Sequence, residues 1–144
     1  MPEVVILGSG TSTGVPMIGR KYSEAFICNP KNHRTRPSIC IHGPEGNLLV
    51  DCTPEMRLQL LREGISSVEA VILTHSHADH MMGMDDLRQL TMSHGKHIPI
   101  YSWPGFLDDI RRVFPYAFRE SVPGVEVPKF SLNELPPQID LCGM

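Results

Sequence analysis

Residues 70 to 80 read AVILTHSHADH, an apolar run followed after a single threonine by four potential metal-binding side chains, His75, His77, Asp79 and His80. The run is too short for a regular helix and rich in branched side chains, so it reads as a buried strand ending where polar ligands begin. Three of the chain's seven histidines fall within six residues, together with an aspartate, which a coincidental polar loop explains poorly. His75 and His77 are two apart and project to one side of an extended segment, where both can reach one ion. Asp79 and His80 are adjacent and address a second ion nearby once the chain turns into a helix. Imidazole and carboxylate suit zinc, manganese or iron, and the lack of thiolate argues against a purely structural zinc site.

The surrounding pattern supplies the layers. Glu3 to Leu7 is a buried strand stopped by Gly8, followed by the glycine loop GSGTSTGVP and a basic stretch, Gly19 to Pro37, expected as a long surface loop. Ser38 to His42 and Asn47 to Val50 form two strands around the turn tetrapeptide Gly43-Pro44-Glu45-Gly46. Thr53 is expected to cap a helix with Pro54 in its first turn and Gly64 at its end. Asp85 to Met92 reads as helix, Ile98 to Tyr101 as strand and Phe106 to Phe114 as helix. A proline-punctuated remainder carries strands near Lys129 to Leu132 and Ile139 to Cys142. Strand and helix alternate, so the class is α/β or α+β with layered packing.

Several functions are excluded on composition. With 13 Lys+Arg against 16 Asp+Glu the net charge is −3, and no global basic field marks a nucleic-acid or anionic-membrane partner. No apolar run approaches the ~20 residues of a bilayer span, and the start lacks a secretory signal pattern, so the expected location is the cytoplasm. Cys28, Cys40, Cys52 and Cys142 are too dispersed for a disulfide framework and are expected as free thiols. Gly8, Gly10 and Gly14 follow a strand as in a dinucleotide-binding turn, but Val15-Pro16 cannot open the required helix. Arg20, Lys21, Lys31, Arg34, Arg36, Arg57 and Arg62 read as a solvated face, with phosphate contact as the other reading. His33, His42, His94 and His97 are out of ligand spacing with the cluster, and Met81, Met82 and Met84 are expected to pack beneath it.

The pattern of His75, His77, Asp79 and His80 resembles the HxHxDH metal motif of the metallo-β-lactamase superfamily. The strand ending in Asp51 resembles the family's earlier motif, and LGSGTSTGVPMIG resembles the opening of its PhnP-like branch, the cyclic phosphodiesterases. The resemblance implies the N-terminal half of an αββα sandwich, with residues 1–144 as one C-terminally truncated domain. It also implies a metal-dependent hydrolase of phosphodiester type, acting through hydroxide on a pair of zinc or manganese ions. His75 and His77 would hold one metal, and Asp79 and His80 the other. Asp79 would also orient the nucleophile and accept its proton, and Asp51 would orient the metal loop. The structural zinc of many such sequences is not expected, because only Cys28 remains of its cysteine cluster.

The family's third histidine, bridging aspartate and final histidine have no counterpart after His97. Asp108, Asp109 and Asp140 are the remaining carboxylates, and no motif places them in the cleft. The expected partner is a small phosphodiester or related ester. The chain alone is expected to be weakly active or inactive, and to dimerise, swap elements or aggregate through an uncovered apolar face. The rival reading is a non-catalytic metal-binding or partner-binding module.

Overall fold

A computed structural model describes residues 1–119 and 124–144, without the side chains of Ser93 and His94. Six strands form one sheet whose order across the sheet is their order along the chain. They are β1 (Glu3–Gly8), β2 (Ser38–Gly43), β3 (Gly46–Val50), β4 (Ala70–Ile72), β5 (Ile98–Ser102) and β6 (Phe130–Glu134). The first three pair antiparallel, with the hairpin closing at Gly43 opposite Gly46, and β3 to β6 run parallel. Each parallel step is bridged by helix: α2 (Met56–Arg62), then α3 (Ala78–Met81) and α4 (Arg88–His94), then α5 (Pro104–Val113). Parallel crossovers are right-handed, and these three advance in one direction, so the crossover helices land on one face of the sheet.

Burial records that asymmetry. One row of paired residues, Val5, Cys40, Leu49, Val71, Ile100 and Leu132, lies under the helices. It joins a core with Met56 and Leu60 of α2, Met81 of α3, and Leu107 and Ile110 of α5. The opposite row, Ile6, Ile39, Val50, Ile72, Tyr101 and Asn133, is no less apolar over its first five members but is exposed or half-buried, with Ile6 at 63%. No described helix is long and apolar enough to cross a membrane.

Several local expectations need correction. The stretch from Gly19 to Pro37 is not wholly irregular: Ser23 caps a short helix α1 (Glu24–Ile27), and Asn29 caps a 3-10 turn over Pro30–Asn32. Thr53 does not cap α2, because its hydroxyl donates to Gln59 Oε1 at 2.9 Å, and the helix begins after Glu55 without a side-chain cap. The expected helix at Asp85 to Met92 starts as a 3-10 turn over Met84–Leu87 and becomes α-helical at Arg88. Ile139 to Cys142 is not a strand; Cys142 adopts φ +55° in a turn closed by two bonds between Leu141 and Met144. Met81 and Met84 are buried as expected, but Met82 is exposed. The proline-punctuated stretch includes residues 120–123, which lie outside the described residues.

Candidate metal centre

Adjacent parallel strands β3 and β4 release their chains at the same rim of the sheet, the end at which open α/β sheets bind ligands. Asp51 leaves β3 there with φ +64°, a left-handed conformation that costs energy for any residue with a Cβ and that Asp tolerates better than most. Its backbone is held on both sides: its N–H donates to Ile72 O at 2.9 Å, and its carbonyl accepts from Ser38 Oγ at 2.9 Å. The turn brings the carboxylate beneath the segment leaving β4, with 7% of the side chain exposed.

Three donors converge on that carboxylate. Thr74 N–H reaches Oδ1 at 2.8 Å, the Thr74 hydroxyl reaches Oδ2 at 2.8 Å, and His80 Nδ1 lies 2.7 Å from Oδ2. A second seam closes behind it: Cys52 N–H donates to His80 O at 2.6 Å and Gly83 N–H to Cys52 O at 2.9 Å. Gly83 is required here, because a Cβ at that position would stand 1.9 Å from Thr53 O. Asp51, the residue expected to orient the loop, thus bonds Thr74 and His80 within it, and the strand-exit peptide and α3 are stitched together around it.

The ligand-type side chains gather above. His77 sits at the N-terminal boundary of α3 with extended dihedrals, so the segment changes from strand-like to helical between His77 and Asp79, as the spacing predicts. The His75 ring centroid is 4.6 Å from that of His77 and 4.0 Å from that of His80. Asp79 Oδ2 is 3.1 Å from His80 Nε2, and each of the two side chains is 14% exposed. Asp79 also lies in the first turn of α3, where the helix dipole favours negative charge. Burial, then the neighbouring imidazoles of His80 and His77, push the His75 pKa down, which favours the neutral form that ligates metal.

The donor set fits divalent metal as two incomplete pairs. Among the described residues no three His, Cys, Asp or Glu side chains form a group able to hold an ion. The 3.1 Å between Asp79 Oδ2 and His80 Nε2 suits two ligands on one ion. His80 Nδ1 is already engaged by Asp51, leaving Nε2 for that role.

Three contributors were missed in the sequence. Thr74 and Ser76 alternate with the two histidines, and the Ser76 hydroxyl donates to Asp109 Oδ2 of α5 at 2.5 Å. Asp109, a carboxylate that no motif placed in the cleft, thus touches the loop between its two histidines. The two-residue alternation of Thr74 and Ser76 carried a signal; Asp109 had none, since only tertiary packing brings α5 to the loop. Asp108 pairs with Arg111, and Asp140 is exposed. Elsewhere, His33 bonds Ile27 O and His42 bonds Asn47 Oδ1. The side chain of His94 lies outside the described residues. All four cysteines are free, and Cys28 is exposed.

The family model described as beta-lactamase superfamily domain matches residues 46–138, spanning the Asp51 strand exit and the whole metal loop. A crystal structure of a diphosphatase from the PhnP family is 32% identical, with a TM-score of 0.83, and the match covers 98% of this chain and 54% of that one. Zinc-bound PqqB from Methylobacterium extorquens is 27% identical with a TM-score of 0.69, over 94% of this chain and 46% of that one. An octanoyltransferase of Porphyromonas gingivalis is 40% identical over 94% of this chain but only 27% of its own length. The chain thus spans about half the length of these solved structures, in the N-terminal half of a mixed α/β sandwich. It belongs to the metallo-β-lactamase superfamily.

Proposed function

We propose that residues 1–144 form one metallo-β-lactamase-like domain carrying half of a divalent-metal hydrolase centre, whose chemistry is hydrolysis of phosphodiesters or related phosphate bonds. The supporting observation is the convergence of His75, His77 and His80, with ring centroids 4.0 and 4.6 Å from that of His75, above a buried carboxylate bonded to His80. His75 and His77 hold one ion, and Asp79 and His80 a second. Bound zinc or manganese supplies Lewis-acid polarisation of phosphoryl oxygens and acidifies water. Asp79 orients the attacking water and accepts its proton, while Asp51 fixes the loop. The two pairs fall short of the three protein ligands of a catalytic zinc, so turnover requires ligands from outside them.

The PhnP-family diphosphatase supports a phosphate-bearing substrate, and the balanced charge favours a small one over nucleic acid. Four free thiols suit the cytoplasm. The uncovered sheet face suits a homodimer.

Elemental analysis of dialysed protein tests the metal assignment: zinc or manganese is retained, and the double variant His75→Ala/His77→Ala loses it. Unchanged stoichiometry overturns the assignment. In the longest protein carrying this half, bis(nitrophenyl) phosphate is cleaved with either metal, and Asp79→Asn removes about 10²-fold or more of the rate. Turnover surviving chelation and that substitution defeats the hydrolase reading.

A further inference from the structure

Thr74 lies in no ligand position, yet its hydroxyl touches both the buried carboxylate and a histidine of the loop. Its Oγ is 2.8 Å from Asp51 Oδ2, 3.0 Å from Asp51 Oδ1 and 3.0 Å from His75 Nδ1. A hydroxyl has one proton to give, and a carboxylate only accepts. Of the two acceptors in reach the charged one binds that proton more strongly, because bonds to ionised groups are roughly twice as strong as neutral ones. The hydroxyl proton is thereby committed to Asp51, and the remaining contact requires His75 Nδ1 to carry a proton and donate it to Thr74 Oγ.

We propose that Thr74 is a positioning residue that relays Asp51 to His75, holding this imidazole as its Nδ1–H tautomer with the Nε2 lone pair free to ligate. One carboxylate then sets two histidines, His80 by direct contact and His75 through the hydroxyl. The proposal rests on the reading of His75 as a metal ligand for its purpose, though not for its geometry. The backbone on the other side of His75 is tied by Ser76 to Asp109.

The tautomer is read directly by long-range proton–nitrogen correlation spectra of ¹⁵N-labelled, metal-free protein at mildly alkaline pH. His75 is expected as Nδ1–H in the parent and in Thr74→Ser. Thr74→Val, nearly isosteric and unable to accept, shifts His75 toward the Nε2–H form that a free imidazole favours. Competition with a chromophoric chelator for zinc alone follows: Thr74→Val weakens binding about 10- to 100-fold, the usual range for an outer partner of a ligand, and Thr74→Ser stays near the parent. An Nε2–H tautomer in the parent overturns the proposal whatever the variants do, as does an unchanged tautomer in a folded Thr74→Val. If the parent retains no zinc but shows the Thr74-dependent tautomer, the metal reading fails while the relay stands.

Discussion

The two faces of the sheet carry similar side chains and have different fates. Ile100 and Ile72 sit on neighbouring central strands, one fully buried beneath α5 and its neighbours, the other half-buried on the far side. Connection handedness, not hydropathy, makes the difference, since every crossover from β3 to β6 advances the same way. Hydrophobic pattern tells which residues want burial, and topology decides which of them this chain buries by itself. The metal rim lies at the edge shared by both faces, and its bracing comes from the finished side.

The largest effect that tests this contrast is Ile100→Ala, expected to cost about 2–5 kcal/mol in urea unfolding, as for a fully enclosed aliphatic residue. Ile72→Ala should cost less than half as much, and equal costs would show that the far face is covered after all. Gly83→Ala comes next, at about 1–3 kcal/mol, because the added methyl meets Thr53 O at 1.9 Å. Metal uptake should fall with it, since the same seam carries His80. For the homodimer proposed above, paired Ile6→Lys and Ile39→Lys substitutions on the open face should weaken association at least tenfold by light scattering, about 1.4 kcal/mol. Monomer stability should hardly change, and a dimer that persists would place the contact elsewhere.

A further effect is a pH dependence on the closed face. Burial pushes the Cys40 thiol up to about 11 from an ordinary value of 9.0. Between these values the unfolded thiol ionises while the folded one keeps its proton, so the unfolded state binds fewer protons and stability falls as pH rises. The contribution is fully present below pH 9.0 and is lost toward pH 11. Cys40→Ala should flatten part of that decline in unfolding curves taken across the window.

Much of this was legible from local chemistry. The strands announced themselves by short branched runs between glycines, and the gathering of the histidines by a spacing that sets His75 and His77 on one side of an extended segment. Asp51 was legible as a strand-exit carboxylate. Thr53 was misread because a hydroxyl ahead of a proline resembles a cap, whereas its partner is the side chain of Gln59, chosen by packing between β1 and α2. The helix α1 was missed because Ser23 caps a single turn too short to show periodicity. Asp109 was missed for a different reason: its partner Ser76 is 33 residues away, and no local pattern encodes that meeting.

A sheet whose spatial order repeats its chain order has a consequence for biosynthesis. Each strand emerging from the ribosome finds its neighbour already in place, and none waits for a later segment to be inserted between them. The rim draws on the stretch from Ser38 to Asp109, about 70 residues, which translation delivers in roughly 4 to 15 seconds at ordinary elongation rates. Nothing in that order makes the loop of His75, His77, Asp79 and His80 wait for β6 or the residues after it.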